Sequence, residues 1–584
     1  MMARMRASNF LPSWLKRYRA QWLGRDAVAA LVATMMLVPQ ALAYAALAGL
    51  PPHLGLYASL LPLVGYAMFG SSSALSVGPV AVLALMTASA LSSIAAPGTA
   101  DYITGAVILA ALTGVFSFAM GLLRLGALSN LLSHPVINGF VSGAATLIII
   151  GQIGPLLGVP TDGDTAFIIL LHSVEELPES SPLTSAIGLT SLALLLGARL
   201  GLAPLLVRLG SSAGTARLLA RLAPMLLVLG AIALTYFLEW DRKIDVVGAI
   251  PSGLPEFGLP TFEWRLTFPL LLPALIIALL GFVESLSIAH AIALRRRERL
   301  DANAELRGLG AANLFSAVSG GFTVTGSFAR TAINEEAGAK SPMSGIFAAG
   351  LMVLVLIFLT GLFQQLPLTV LAATIIVASL SLIDVRGFIR NWRYDRTDGI
   401  AMAGTFLGVL LFGVEAGIGI GIGLSFATLI WRSSRPHIAV VGRLPGTEQF
   451  RNVLRHTVKT QPGLLFLRID ESLFFSNISA VEDRLLSELK RHPDTRELVL
   501  ILSSVSRIDG TALERLQQIN RDLAEREIRL HLAEAKGPVL DRLSRSRFLS
   551  ELTGRVFLSS YIAELALRHE EQENRNPGPA AGQA

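Results

Sequence analysis

Arg330 stands near the end of the stretch Gly320-Gly-Phe-Thr-Val-Thr-Gly-Ser-Phe-Ala-Arg-Thr331, where glycines and hydroxyl side chains interrupt strongly apolar segments. Irregular backbone and a cation are both costly in hydrocarbon unless they line a polar path. A second break, Ser76-Val-Gly-Pro-Val-Ala81, lies in the corresponding part of the first half, and in each case small polar residues precede a short apolar helix. Pro79 suits the first helical position there, where no backbone N–H is needed. Two interrupted helices meeting near the midplane turn two positive dipole ends of about half a charge each into one cavity, and Arg330 adds a full charge. Such a site suits an anion. The competing reading is a pair of ordinary kinks, with Arg330 in a structural ion pair.

Glu284 is the second exceptional residue. Between Leu266 and Leu294 only Glu284 and His290 titrate. A bare carboxylate inside an apolar helix is expensive, so this one is expected to be protonated, paired or ion-bound. Two roles follow: partner of Arg330, or a coupling site that takes up a proton or a cation. His290 falls about one and a half turns on, which places it toward the interface. In the first apolar segment Gln40 and Tyr44 share a helix face. With Pro39 they interrupt an apolar run, which suits a face turned to a polar cavity or, alternatively, an interhelical hydrogen bond from Gln40.

Composition sets the class of element that must hold these residues. The chain has 584 residues, 52% hydrophobic and 15% charged, with a mean hydropathy of +0.59. Soluble domains carry about 25% charged residues, so this is a polytopic membrane protein. Zero cysteines exclude disulfides, thiolate metal sites and a cysteine nucleophile. The net charge of +6 is read as positive cytoplasmic loops, not as a nucleic-acid footprint. No metalloprotease helix, phosphate-binding Gly-Lys-Ser/Thr loop or nucleophile elbow is present, so neither an enzyme nor an ATP-driven pump is expected, and no cofactor or metal. Gly417-Ile-Gly-Ile-Gly-Ile-Gly423 reads as helix packing. Asp301-Ala-Asn-Ala-Glu305 is rejected as a calcium loop because Leu306 stands where that loop needs glycine. Glu415 is assigned to a hairpin as a solvated or capping residue. Asn477-Ile-Ser479 has the form of a glycosylation sequon but falls in a segment expected to be cytoplasmic.

Residues 1–25 are expected to form a cytoplasmic segment leading into an uncleaved first span. From Val28 to Ala100 there is no Asp, Glu, Lys or Arg, and apolar segments recur to residue 431, giving about fourteen spans within 26–431. Arg199, Arg208, Arg217 and Arg221, then Arg295 to Arg299, then Arg386 to Arg396 follow even-numbered spans. The stretch from Gly158 to Leu183, after an odd one, carries Asp162, Asp164, Glu175, Glu176 and Glu179 without Lys or Arg. This bias places both termini in the cytoplasm. Beyond Trp431 the pattern turns soluble. Leu464 to Ile469, Leu498 to Leu502 and Ile528 to Ala533 read as strands. Helical faces formed by Ile478, Val481, Leu485, Leu486 and Leu489, and by Leu513, Leu516, Ile519 and Leu523, complete a small α/β domain over 436–568. A tail over 569–584 is expected to be disordered.

Several motifs together carry a family resemblance. Gly281-Phe-Val-Glu-Ser285, Asp301-Ala-Asn-Ala-Glu-Leu306, Gly310-Ala-Ala-Asn313, Thr323 to Thr331, Val38-Pro-Gln-Ala-Leu-Ala-Tyr44, Ser76 to Val80 and Gly442-Arg-Leu-Pro-Gly-Thr447 closely resemble the SulP sulfate permease family, whose animal members form solute carrier family twenty-six. The resemblance covers nearly the whole chain. It implies a seven-plus-seven inverted repeat, with spans 1–4 and 8–11 as a core domain that slides against a gate domain in an elevator motion, a homodimer, and a cytoplasmic STAS domain. It places Gln40, Tyr44, Val80, Ala329 and Arg330 in the anion pocket, Glu284 at the family's acidic position on span 8, and Gly78 and Ser327 at the half-helix tips. STAS phospho-switches carry Ser or Thr directly after the aspartate of the helix-start motif. Here Asp509-Gly510-Thr511 has glycine, so that modification is impossible, and Thr511 is a candidate helix cap.

The function expected is secondary active uptake of an inorganic anion, sulfate first, by proton symport with Glu284 as proton acceptor. Bicarbonate and dicarboxylates such as fumarate are rival substrates, and sodium coupling or anion exchange rival mechanisms. An anion channel, and a membrane sensor or scaffold signalling through the STAS domain, are the readings from other classes. The expected partners are the anion, a proton or sodium ion, membrane lipid, a second copy and a possible STAS-binding protein. The expected location is a bacterial inner membrane.

Overall fold

The computed structural model describes residues 12, 14–127, 133–160 and 165–575. Asp162 and Asp164, and the expected disordered tail beyond residue 575, lie outside the described residues. The last helix, Ser560–Arg575, continues past His569, where that tail was expected to begin.

Among the described residues, seven helices are long and apolar enough to cross a bilayer. They are spans 1 (Leu23–Leu47), 4 (Ala100–Leu122), 5 (His134–Leu157), 6 (Pro182–Arg208), 8 (Trp264–Arg296), 11 (Met343–Phe363) and 14 (Val414–Ser433). Shorter apolar helices form spans 2 (His53–Phe69), 3 (Ala81–Ser92) and 12 (Leu368–Ser379), together with span 7 (Ala213–Phe237). Spans 9 (Ala302–Val318), 10 (Phe328–Glu336) and 13 (Arg396–Phe412) complete the set.

The order repeats with an offset of seven. A two-residue strand precedes span 3 and another precedes span 10. An extra helix, Ala166–Glu175, follows span 5, and another, Val385–Tyr394, follows span 12. These landmarks divide the domain into a seven-plus-seven repeat.

Packing separates two groups of spans. Span 9 lies against spans 2 and 4, span 8 against spans 3 and 4, and span 1 against spans 10 and 11, which is the core; span 5 lies against span 13 and span 12 against span 6, which is the gate. Glycine makes the tightest of these contacts possible. A Cβ on Gly114 would stand 2.9 Å from the Gly310 carbonyl oxygen, and one on Gly310 would stand 2.5 Å from the Phe118 nitrogen. Spans 4 and 9 therefore meet backbone to backbone, as small-residue interfaces in lipid do. Gly417 acts in the same way against Val409, in keeping with the packing role read for that glycine run.

Two buried carboxylates tie core elements together. Glu305, 0% exposed, accepts hydrogen bonds from the Tyr66 hydroxyl at 2.8 Å and from the Ser71 and Ser72 backbone N–H groups at 2.9 Å each. Asp26 accepts from the Lys340 N–H at 2.6 Å and the Ser341 hydroxyl at 2.7 Å. The segment discounted as a calcium loop thus supplies a structural anchor.

The second unit, Phe426–Ala584, carries a six-stranded sheet. The strands paired ahead of spans 3 and 10 are β1 (Val77–Gly78) and β2 (Thr325–Gly326). The sheet adds β3 (Ile438–Arg443), β4 (Phe450–Asn452), β5 (Leu464–Ile469), β6 (Glu497–Ile501), β7 (Arg529–Ala533) and β8 (Val556–Phe557), ordered β4-β3-β5-β6-β7-β8. Strands β5 to β8 run parallel with helices on both faces, which is why β5 and β6 are nearly continuous apolar runs, while β7, Arg529-Leu-His-Leu-Ala533, alternates. Ile478–Arg491 and Gly510–Ala524 bury the periodic faces read from the sequence. The cap of Gly510–Ala524 is Asp509, whose Oδ1 accepts from the Ala512 N–H at 2.8 Å, and not Thr511 as expected. Aspartate two positions earlier already satisfies the orphan donor. Asn477 is 0% exposed, and its amide donates to the Ser433 and Ser472 carbonyls.

Candidate functional site

Strands β1 and β2 pair antiparallel, with Val77 opposite Gly326 and Gly78 opposite Thr325. The Ser327 N–H extends the pairing to the Ser76 carbonyl at 3.0 Å. Because the strands oppose each other, spans 3 and 10 leave the pair in opposite directions and both N-termini face back toward it. Span 10 is capped by Ser327, whose hydroxyl accepts from the Arg330 N–H at 3.5 Å. Span 3 starts at Ala81 with Val80 as its N-cap. Pro79 therefore lies before the cap and not at the first helical position, because the extended backbone runs two residues further, through Val80, than the sequence suggests.

Hydroxyl and amide side chains fix this pair within the apolar core. Thr325 Oγ1 donates to the Gly281 carbonyl at 2.8 Å and lies 2.7 Å from Ser285 Oγ, which accepts from the Gly326 N–H at 2.8 Å. Asn313 donates to the Val324 carbonyl at 2.8 Å and accepts from the Val324 N–H at 2.9 Å. Thr331 Oγ1 accepts from the Ser76 N–H at 3.0 Å. Sequence reasoning quoted Ser285, Asn313, Thr325 and Thr331 within motifs and assigned them no role. Their signal was present as hydroxyl and amide residues within apolar segments, where each buried polar group needs a hydrogen-bond partner.

Arg330 projects from the first turn of span 10 and is 0% exposed. Its Nη1 donates to Gln40 Oε1 at 3.1 Å, so spans 1 and 10 meet here. A Cβ on Gly78 would stand 3.2 Å from Arg330 Nη2 and 3.3 Å from Leu37 Cδ1, so β1 closes over the guanidinium. The Nε and Nη2 donors have no hydrogen-bond partner. Among the described residues, no ion pair joins Arg330 to Glu284 or to any other carboxylate. Glu284 lies one residue before the Ser285 clamp, and its buried Oε2 is also without a partner. The structural ion pair considered for these two residues is therefore not formed. Tyr44 lies within electrostatic range of both.

The structure thus brings Gln40, Tyr44, Gly78, Arg330 and Glu284 into one region of the core. Tyr44, Gly78, Val80 and Arg330 are buried, Gln40, Ser327 and Glu284 half-buried, and Ala329 exposed. His290 is exposed. No group of three or more His, Cys, Asp or Glu residues able to hold a metal occurs among the described residues.

The sequence signature of the sulfate permease family matches residues 23–405, which includes every span that builds this region. The chain belongs to the sulfate permease family. A STAS domain matches residues 455–563. Relatives in the family include a protein named probable sulfate transporter 4.2 of Arabidopsis thaliana, 37% identical over 93% of this chain and 80% of its own. Another is the probable sulfate transporter Rv1739c of Mycobacterium tuberculosis, 33% identical over 95% and 97%. The structure of murine solute carrier 26 family member A9, an anion transporter in its inward-facing state, superposes with a TM-score of 0.85 at 20% identity over 97% of this chain and 96% of that one. The transmembrane domain of the cyanobacterial bicarbonate transporter BicA gives 0.59 at 22% over 69% and 99%. At these identities the likeness to solved structures establishes the fold.

Proposed function

We propose that this permease is a secondary active anion transporter whose substrate sits at the facing N-termini of spans 3 and 10. The carrying observation is a fully buried arginine with two donors unpaired and no carboxylate partner, placed one turn inside a helix start. A buried charge without a partner is unstable, and an incoming anion supplies the missing countercharge. Gln40 and Ser327 keep accessible surface beside it, so the anion accepts from them and from the first N–H groups of span 10 while Arg330 balances its charge from behind. Tyr44, Gly78, Val80 and Ala329 complete the proposed pocket.

Sulfate is the favoured substrate, because the Arabidopsis and Mycobacterium relatives are named as probable sulfate transporters. Glu284 is proposed as the proton acceptor for symport: its unpaired Oε2 lies in the same region, and protonating it on loading removes a charge from hydrocarbon. The core carries both groups as one packed body against the gate, which suits an elevator motion. The proposed setting is a cell membrane with both termini in the cytoplasm and a homodimeric assembly.

Proteoliposomes loaded under separately imposed proton and sodium gradients test this reading with labelled sulfate, bicarbonate and fumarate. Sulfate accumulation driven by an inward proton gradient is expected in the wild type. Glu284→Gln is expected to retain sulfate exchange and lose the response to the gradient. Full gradient dependence in that variant removes Glu284 from coupling, and accumulation of bicarbonate or fumarate alone reassigns the substrate.

A further inference from the structure

The helix Val385–Tyr394, between spans 12 and 13, presents two different exposed stripes. At 100° per residue, Arg386, Arg390 and Arg393 fall within one narrow sector, and all three are exposed. Val385, Ile389 and Trp392 form the adjoining sector and are 61%, 46% and 43% exposed. The opposite side is fastened to the protein. Asp384 caps the helix by accepting from the Gly387 N–H at 2.8 Å, Gly387 is buried, and Asn391 donates to Met402 Sδ at 3.7 Å. Trp392 packs on Gly399 of span 13, where a Cβ would stand 2.6 Å from its ring.

Among the described residues, no carboxylate forms an ion pair with any of the three arginines. Arg386, Ile389, Arg390, Arg393 and Tyr394 line a surface depression of about 500 Å³. An apolar stripe beside an arginine stripe, on a helix that joins two membrane spans, is the arrangement of an element lying in the interfacial plane. The charge alone would suit any anion. The exposed apolar stripe next to it has no use for a soluble one, but matches acyl chains attached to an anionic headgroup.

The counterpart helix of the other half supports this reading. Ala166–Glu175 is also exposed and apolar, through Phe167, Leu171 and Val174. It ends in Glu175 and Glu176 and carries no Lys or Arg. Of these two helices, the one after span 12 pairs its apolar stripe with positive charge and the other does not. We infer that Val385–Tyr394 is an anionic-phospholipid site: the headgroup phosphate is held by Arg386, Arg390 and Arg393, and the acyl chains lie along Val385, Ile389 and Trp392.

Thermal unfolding of the full chain in neutral detergent tests this, with phosphatidylglycerol, phosphatidylcholine or inorganic phosphate titrated in. Phosphatidylglycerol is expected to raise the unfolding temperature of the wild type, while phosphatidylcholine and phosphate do not. The variant R386Q/R390Q/R393Q is expected to lose that increment and keep the wild-type temperature in phosphatidylcholine. If the triple variant does not fold, each single Arg→Gln variant still reports. Each neutralisation should raise the half-maximal phosphatidylglycerol concentration roughly fivefold, from the electrostatic contribution of one basic residue at a membrane surface. An unchanged increment in the triple variant, or unchanged half-maximal concentrations in the single variants, overturns the assignment. An equal shift with phosphatidylcholine shows general lipid solvation instead, and an equal shift with inorganic phosphate shows a soluble-anion site.

Discussion

Gly78 lies directly against Arg330: a Cβ on the glycine would stand 3.2 Å from guanidinium Nη2. The backbone of one half of the repeat thereby caps the charge contributed by the other half. Gly78→Ala should be nearly neutral, since a shift of a few tenths of an ångström accommodates the methyl. Gly78→Val adds two further carbons against Arg330 and Leu37 and should displace the guanidinium. Sulfate uptake is expected to fall at least tenfold with the unfolding temperature lowered by only a few degrees, a cost of about 1–3 kcal/mol.

Gln40 holds Arg330 without neutralising it. Gln40→Glu keeps the shape and the 3.1 Å contact but supplies the carboxylate that Arg330 lacks. Equilibrium binding should show sulfate affinity lost while the protein remains at least as thermostable. Unchanged affinity would mean that the charge of Arg330 is not what the anion senses.

How much of this was legible follows from sequence separation. The two half-helices announced themselves locally, since glycine and hydroxyl residues in membrane-grade segments have few other uses. The strands β5 and β6 were equally local as near-continuous apolar runs, and β7 as an alternating one, whereas the seven-plus-seven repeat came only from the family resemblance. The Arg330–Gln40 bond spans 290 positions, and no periodicity reports it. Pairing Glu284 with Arg330 was the simplest charge balance, and the structure leaves both unpaired. The caps were misplaced by two residues at both Pro79 and Thr511, because strand ends and alternative cap residues compete on a scale finer than hydrophobic patterning.

The Ser285–Thr325 clamp is expected to position the strand pair that starts span 10. Ser285→Ala removes the acceptor of the Gly326 N–H at 2.8 Å and leaves a buried donor unsatisfied, at about 1–3 kcal/mol. Thermal unfolding of the purified protein should shift down by a few degrees. Thr325→Val, combined with it, should add less than its separate effect, because the two hydroxyls share one hydrogen bond.

In the STAS domain, Glu497 accepts from His531 Nε2 at 2.7 Å and from Arg529 Nε at 2.9 Å. Burial alone would raise this carboxyl, but those two bonds and the Arg529 charge more than offset it and hold it below its ordinary value of 4.5. Its stabilisation is therefore fully present above pH 4.5 and lost as pH falls through the depressed value. Hydrogen exchange of β6 and β7 in the full-length protein, corrected for intrinsic rates, should show protection declining only below pH 4.5. Glu497→Gln should weaken protection already at neutral pH and flatten that decline.

The claim on which the rest depends is that Arg330 supplies the countercharge for the transported anion. Equilibrium binding of labelled sulfate to purified Arg330→Ala, with folding verified by its unfolding temperature, tests it most directly. The account predicts that binding is lost, by at least tenfold in affinity, in a protein that still folds. Wild-type affinity in the folded variant would contradict it and move the anion away from the paired helix ends.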